Sequence, residues 1–262
     1  MNKINLETAP SEILQMIAAS REKKDKTAET LKLVNSAINM LHDYIVTLYF
    51  ERAHIYQLIC MTERDRLYDG DSKKKTDALA KMKKYVAEAE NYVLSNKLTR
   101  WFHRLYRFYG KVAEYKGDYK KAVSYYKKSL KFWKSDPEVV ARGLPRNFEL
   151  EGFLSSALIM SGDSEKGLKK AKIVYRKYET IKQGRQLKKK DYTTWAIWRT
   201  GCVIFVVRGV IEGKLKIDKK EILNWLTEAE KLLSPSKKVK LWADFQYRKD
   251  EIGALKKKLR AF

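Results

Sequence analysis

The chain has 262 residues, of which 44% are hydrophobic and 12% aromatic, so it is long and apolar enough to bury a substantial core. It carries 56 Lys and Arg residues against 32 Asp and Glu residues, a formal net charge of +24, and only four prolines and twelve glycines. Alternating β-branched runs bounded by turn residues are absent. The composition therefore excludes a strand-rich fold and predicts an all-α chain, one continuous domain of about eleven helices.

The N-terminal part shows the weakest helical pattern. Residues 10 to 19 and 27 to 41 form a weak opening pair of helices, and residues 44 to 66 and 75 to 94 form a second pair. The first residues lack the unbroken apolar core of a signal peptide, so we expect a cytoplasmic protein.

Residues 103 to 136 carry the clearest pattern, because small and large residues recur there at the spacing of one helix-turn-helix unit. Gly110 lets two helices approach closely, and Gly117 with Asp118 ends the first helix and caps the second. One face of the second helix then presents three small or aromatic residues, Ala122, Tyr126 and Ser129.

This stretch resembles a tetratricopeptide repeat. The matching positions are Gly110, Gly117, Tyr119, Ala122, Tyr126 and Ser129. It departs from the family pattern at Ala113, where a larger residue is usual, and at Lys134, where proline is usual. The resemblance implies a right-handed α-solenoid of about five helix pairs with a C-terminal capping helix.

The stretch after it repeats the spacing over residues 148 to 181, with Ser155 at the close contact, Gly162 at the helix break and Gly167 in the second helix. Residues 190 to 212 and 218 to 233 form a weak closing pair. One amphipathic helix over 236 to 261 is expected to seal the end, with these residues toward the core: Val239, Trp242, Phe245, Ile252, Leu255 and Leu259.

Three stretches interrupt this periodicity with Pro, Gly or charge, at residues 66 to 74, 135 to 146 and 182 to 190, and we expect them to be the least ordered. The most apolar run, residues 201 to 211, is too short to span a bilayer and predicts a core helix. Two cysteines, Cys60 and Cys202, lie inside apolar helices and are interpreted as small core residues.

Positive charge is segregated along the chain. Residues 1 to 70 hold 9 basic and 10 acidic residues, whereas 71 to 262 hold 47 and 22. We therefore distinguish a charge-neutral N-terminal part (1–70), basic repeats (71–235) and the capping helix (236–262). Such a field attracts polyanions over a Debye length of about 8 Å at physiological salt.

The family resemblance assigns these charges to two faces. The second helices form the convex back, which should be a field of lysines: Lys81, Lys84, Lys120, Lys127, Lys128, Lys131, Lys169 and Lys170. The first helices line the concave groove, where the clearest repeat places Arg104, Arg107 and Lys111. Neighbouring repeats place His54, Glu149, Gly152 and Ser156 there.

Three partner classes follow. An acidic peptide or protein in the groove is the first hypothesis, and RNA or DNA on the convex lysines is the second, supported by aromatics among the bases such as Tyr109 and Tyr125. The third is a structural or self-associating scaffold, a homodimer through an exposed apolar first helix around Ile13, Ile17, Leu31 and Val34. Because 41 Lys stand against 15 Arg, simple solvation of a lysine-rich surface stays open as well.

No pattern predicts catalysis, a metal or a cofactor. The three histidines, His42, His54 and His103, have no ligand at metal-binding spacing, and no glycine-rich phosphate loop occurs. Closely spaced glutamates such as Glu88 and Glu90 diverge on a helix and cannot flank one reacting atom. We therefore expect a non-enzymatic binding protein.

Overall fold

The computed structural model describes residues 27–65, 72–136, 139–140, 147–234, 241 and 244–261, together with positions 11, 15 and 19. The chain divides into two compact units, Met1–Arg52 and Ala53–Phe262. All regular secondary structure in the described ranges is helical, which confirms the predicted all-α class.

Ten α-helices lie within the described ranges, and a 3₁₀ turn at Thr99–Trp101 precedes the third of them. They are α1 (Thr27–Asp65), α2 (Ser72–Ser95), α3 (Phe102–Tyr115), α4 (Tyr119–Ser135), α5 (Phe148–Met160), α6 (Ser164–Thr180), α7 (Lys182–Lys190), α8 (Tyr192–Glu212), α9 (Lys219–Leu232) and α10 (Gln246–Ala261).

Helix α1 is one helix of 39 residues, whereas the sequence predicted separate helices over 27–41 and 44–66. Neither glycine nor proline occurs between residues 27 and 65, so nothing in the backbone forces a break. Within the first unit, Val46 and Phe50 are fully buried, while Leu31 is 56% exposed. The predicted helix over 10–19 lies largely outside the described residues.

In the second unit, the end of α1 packs on α2. The rings of Tyr56 and Tyr85 stack with centroids 5.5 Å apart. Cys60 Sγ donates a hydrogen bond to the Lys75 carbonyl at 3.8 Å. These contacts place the end of α1 beside α2.

Glycine turns end α3 and α5 in the same way. Gly117 and Gly162 have φ values of 81° and 99°, which glycine adopts without the steric penalty that other residues meet. In each turn the next residue, Asp118 or Asp163, donates its backbone N–H to a carbonyl five residues back, the Schellman arrangement. Both predicted helix breaks are confirmed.

The paired helices approach closely at the predicted small residues. A Cβ added to Gly110 would overlap the ring of Tyr126, and one added to Gly167 would lie 2.7 Å from the Ser155 carbonyl oxygen. The predicted inward residues Ala122, Tyr126 and Ser129 are all fully buried. The α3–α4 contact therefore follows the residue spacing read from the sequence.

Helix α5 lies at the centre of the second unit, where every residue from Phe148 to Ile159 is buried. It packs against α4, α6 and, most extensively, α8. A Cβ on Gly152 would lie 2.6 Å from the Cys202 Cα, and one on Gly209 would lie 2.7 Å from the Ser156 hydroxyl. Small residues therefore bring the α5 and α8 backbones together.

Within the described ranges, only α8 (21 residues) is long and apolar enough to span a membrane by length and composition. However, 78% of its apolar window is buried inside the protein. The predicted interpretation of residues 201–211 as part of a core helix agrees with this burial.

Two predictions about particular segments are wrong. Residues 182–190 form the short helix α7 rather than a poorly ordered stretch, because Gly184 and Leu187 are buried beneath the charged residues. The C-terminal helix starts at Gln246 rather than 236, since Phe245 has a φ of 52° that no α-helix contains.

The predicted inward residues of this C-terminal helix are largely confirmed: Ile252, Leu255 and Leu259 are buried. Phe245, just before the helix, is also buried. Val239 and Trp242 lie outside the described residues.

Both cysteines are buried, as predicted. Burial in apolar surroundings raises the pKa of the Cys202 thiol to about 12, so the thiol stays protonated at neutral pH.

Candidate functional site

Most of the predicted convex lysines are exposed on α2, α4 and α6, and we call these exposed residues the lysine surface. They are Lys81, Lys84, Lys120, Lys127, Lys128, Lys131 and Lys169. Lys170 differs from them, because it is half-buried and pairs with the buried carboxylate of Glu151. The structure therefore places seven of the eight predicted lysines where a partner could reach them.

A first cleft opens between α2, α3 and α4, with a volume of about 310 Å³. Three lysines line it, one from α2, one from the α3–α4 turn and one from α4: Lys83, Lys116 and Lys121. Its remaining lining is Val86, Ala87, Tyr109, Val112, Ala113, Asp118 and Tyr125. In the described part of the chain, none of these three lysines forms an ion pair.

The amines in this cleft lie close enough to affect each other. The pKa of Lys116 is lowered, chiefly by its side-chain interaction with Lys83 and by the positive charge of Lys83, and also by that of Lys121. Asp118 opposes this effect. The sequence analysis did not select Lys116, because it lies in a turn rather than on a helix face.

A second cleft, of about 420 Å³, opens between α4, α5 and α6. It is lined by Lys127, Leu130, Lys131, Lys134, Ser135, Glu151 and Lys170. Each cleft thus combines lysines from two successive lysine-bearing helices, α2 with α4 and α4 with α6. Four further exposed lysines line these clefts, and we include them in the lysine surface: Lys83, Lys116, Lys121 and Lys134.

Aromatic rings lie beside the first cleft. The Tyr109 and Tyr125 rings are 5.4 Å apart at their centroids. Tyr106 stacks on Phe132 at 5.4 Å and 6°. Lys128 Nζ lies 5.5 Å from the Tyr106 ring centre, a cation–π distance.

The predicted groove residue Lys111 does not lie on the surface. Its side chain is fully buried, with Nζ 3.8 Å from the Phe153 ring centre and 3.7 Å from that of Phe205. It also pairs with the Glu114 carboxylate at 3.0 Å. The prediction that Lys111 grips a peptide is therefore wrong, because its amine is enclosed by the core.

The predicted groove residue Arg107 is occupied within the protein. Its guanidinium binds the Glu149 carboxylate at 2.9 Å and lies 5.1 Å from the Phe153 ring centre. Arg248 of α10 binds the same Glu149 carboxylate. Residues of α3, α5 and α10 thus meet where the sequence placed an open groove.

Burial alone would raise the pKa of Glu149, but the positive charges of Arg107, Arg248 and Lys111 outweigh it, so the net effect lowers the pKa. Arg248 also pairs with Glu251 at 3.2 Å. Arg208 pairs with Glu251 at 3.2 Å as well. We call the following residues the C-terminal ionic cluster: Arg107, Lys111, Glu149, Arg208, Arg248 and Glu251.

The remaining groove positions are also altered. Gly152 and Ser156 lie within the α5–α8 contact, so they line no open groove. Arg104 is half-buried, with its guanidinium 5.9 Å from the Trp101 ring centre, and His54 is half-buried on α1.

No group of three His, Cys, Asp or Glu residues that could hold a metal occurs within the described ranges. Burial lowers the pKa of His103, against the opposing effect of the Arg100 carbonyl contact and of Asp136. Its Nδ1 lies 2.8 Å from the Arg100 carbonyl oxygen, so this ring serves the α3 N-terminus.

Comparison with known proteins gives no relative for this chain. No family model matches it, and neither a curated protein nor a solved structure matches it significantly.

Proposed function

We propose that the protein is a non-catalytic, tetratricopeptide-like α-solenoid that binds an acidic macromolecule through the lysine surface. The observation that carries this proposal is that exposed lysines of α2, of the α3–α4 turn and of α4 line two clefts. Closely spaced like charges without ion-pair partners raise the local positive potential, which attracts a polyanion.

Of the two acidic partners, we propose a nucleic-acid strand before an acidic peptide. A peptide in the groove would need Arg107 and Lys111, and both are occupied inside the protein. The lysine surface instead combines amines with half-buried tyrosine rings, the combination that binds phosphates and stacks bases in single strands.

The proposal is tested by fluorescence anisotropy with labelled single-stranded RNA, duplex DNA and polyglutamate at about 150 mM salt. The test variant reverses three exposed lysines of α4: Lys120→Glu, Lys127→Glu and Lys131→Glu. We expect it to lose most strand binding. Since about 0.7 counterions are released per single-strand phosphate contact, the slope of log affinity against log salt should fall by about 2.

A matched control changes the same charge elsewhere: Lys182→Glu, Lys189→Glu and Lys190→Glu on α7, which are also exposed. We expect much weaker effects from this control. Equal losses in both variants would show that only net charge matters. If the unmodified protein bound polyglutamate but no nucleic acid, the acidic-protein alternative would replace the strand.

A second candidate function, self-association, is favoured by a row of exposed apolar residues on α1. Leu31, Val34, Ile38 and Leu48 are 56%, 37%, 46% and 49% exposed. With the half-buried Leu41 and Ile45 they repeat at spacings of three and four, the heptad register of a coiled coil. We propose a second copy of α1 as the occupant, because this register keeps both apolar rows facing each other.

Sedimentation velocity over a range of concentrations tests this second candidate. Ile38→Lys should shift the protein toward monomer, because it places a charge in the apolar row. Leu94→Lys, at a residue of α2 that is 53% exposed, is the control and should leave the mass unchanged. A protein that sediments as a monomer at every concentration would exclude self-association. Of the two further residues that the sequence analysis named, Ile13 and Ile17, both lie outside the described residues.

A further inference from the structure

The first cleft differs from an ordinary patch of surface lysines in how its amines are brought together. Lys83 comes from α2, Lys121 from the first turn of α4, and Lys116 from the turn that Gly117 completes. The Schellman turn fixes the path of the chain at Lys116, so this lysine is held beside the other two by the fold. Three lysines from three successive elements therefore line one small cleft.

The three like charges repel each other to the extent that water does not screen them, and an anion in the cleft would relieve this repulsion. Lys83 and Lys116 line the same cleft and act on each other through their like charges, and no carboxylate forms an ion pair with either within the described ranges. Asp118 also lines the cleft, but its Oδ1 accepts the backbone N–H of Lys121 as the cap of α4. A dianion placed among three amines would gain charge-assisted hydrogen bonds and remove their mutual repulsion.

The rest of the cleft is apolar and aromatic. Val86, Val112 and Ala113 line it together with the rings of Tyr109 and Tyr125. Tyr109 is held in place, because its hydroxyl donates to the Glu90 carboxylate. A volume of about 310 Å³ lies at the lower end of the range for small-ligand sites, which are mostly apolar with a few convergent polar groups.

The second cleft lacks this combination. Its wall contains the buried carboxylate of Glu151, which pairs with Lys170 and would repel an anion. Among the described residues that line it there is no tyrosine. The two clefts therefore provide a comparison inside one molecule, with similar lysine content but a different wall.

We propose that the first cleft is a nucleotide site, in which Lys83, Lys116 and Lys121 hold a phosphate group and the Tyr109–Tyr125 wall contacts the base. The inference rests on the proposed function, because it names a nucleotide as the chemical group that the lysine surface binds. The nucleotide is either free or one unit of a single strand, and the same phosphate-plus-ring chemistry serves both.

Binding of adenosine 5′-monophosphate, adenosine and inorganic phosphate, followed by NMR titration of the full chain, tests the site. The test variant is Lys83→Gln, Lys116→Gln and Lys121→Gln, and the control is Lys127→Gln, Lys131→Gln and Lys134→Gln, with the same change in charge. We expect adenosine 5′-monophosphate to bind at least about tenfold more weakly to the test variant than to the control. Adenosine without phosphate should bind weakly to all three proteins.

The aromatic wall is tested by Tyr125→Leu, which keeps an apolar side chain but removes the ring. We expect about tenfold weaker binding of the nucleotide and unchanged binding of inorganic phosphate, because only the base uses the ring. Equal binding of the nucleotide by the test and control lysine variants would overturn the site. Unchanged binding of the nucleotide by Tyr125→Leu would overturn the base contact.

The two sources are separated by single-stranded oligonucleotides. If a single strand loses more affinity in the first-cleft variant than in the control, the site is part of a strand-binding surface. If the nucleotide binds the cleft whereas strands do not, the ligand is a free nucleotide. If nucleotides bind the cleft but strands do not bind at about 150 mM salt, the proposed function fails while this inference stands. If strands bind and both lysine variants weaken them equally, the inference fails while the function stands.

Discussion

Two residues, Gly110 and Tyr126, set how closely α3 and α4 approach each other. A Cβ at Gly110 would enter the space of the Tyr126 ring, which is fully buried and whose hydroxyl donates to Glu114 at 2.6 Å. The ring therefore cannot move aside without losing both its packing and its hydrogen bond.

We predict that Gly110→Ala destabilises the protein by about 1 to 3 kcal/mol, because the added methyl group overpacks this contact. Gly253→Ala is the control, since no atom lies within 4 Å of a Cβ there and the residue is inside α10. It should stabilise by about 0.5 to 1 kcal/mol. Urea unfolding measures both, and a neutral Gly110→Ala would show that α3 and α4 can separate freely.

Lys111 is a buried charge at a position where the sequence predicted a residue lining an open groove. Its amine pairs with Glu114 and lies over two phenyl rings. We predict that Lys111→Met destabilises the fold by about 3 kcal/mol, because the Glu114 carboxylate then stays buried without its countercharge. Adding Glu114→Gln should restore much of this loss.

Unfolding by urea, together with partner binding at a temperature where the variants are folded, checks this prediction. Binding of any partner by the double variant should equal that of the unmodified protein. A specific loss of acidic-peptide binding at full stability would instead support the groove role that the sequence assigned to Lys111.

At the scale of helices, the C-terminal ionic cluster fastens α10 to α3, α5 and α8. Glu149 is held by Arg107 and Arg248, and their charges lower its pKa below the usual value of 4.5. A carboxyl whose pKa is lower in the folded than in the unfolded state stabilises the fold above its unfolded pKa. This stabilisation is lost as the pH falls through the folded pKa.

We therefore predict that Glu149→Gln destabilises the protein at pH 7 by about 3 to 5 kcal/mol, because Arg248 stays buried without this countercharge. The difference from the unmodified protein should shrink as the pH falls below about 4.5, where Glu149 begins to be protonated in the unfolded chain. Urea unfolding across this range measures it. Glu165→Gln, at an exposed residue, should show no comparable pH-dependent difference.

The same scale shows which elements could be predicted from the sequence. Gly117 and Gly162 each require a positive φ, so the helix ends they mark depend on a few neighbouring residues and were found. Helix α7 was missed because only Gly184 and Leu187 pack inward, and such a short apolar face gives a weak periodic signal.

The candidate site was predicted only in part, for a related reason. Helical spacing places Gly152 and Ser156 on one face of α5, but it does not say what covers that face. Contact with α8 closes it. Exposed lysines were found because their spacing alone marks them as outward, whereas Lys116 was missed because its place in the cleft depends on three elements meeting.

For the whole molecule, the formal charge of +24 opposes compaction through self-repulsion. We predict that the melting temperature rises as sodium chloride increases from about 0.01 M to about 0.15 M, because the Debye length falls from about 30 Å to about 8 Å. The rise should be smaller in the variant with Lys120, Lys127 and Lys131 changed to Glu, which carries less net charge. A melting temperature that is independent of salt would show that the repulsion is already offset locally.

The two buried cysteine thiols can report how often two helix contacts open. Cys60 is bonded to the Lys75 carbonyl where α1 meets α2, and the Cys202 backbone lies against Gly152 where α8 meets α5. Since a buried thiol reacts with an alkylating reagent only after its helix contact opens, the two labelling rates report two separate opening events. We expect Cys202 to be labelled more slowly than Cys60, and mass spectrometry of labelled peptides would time each event in the unmodified protein.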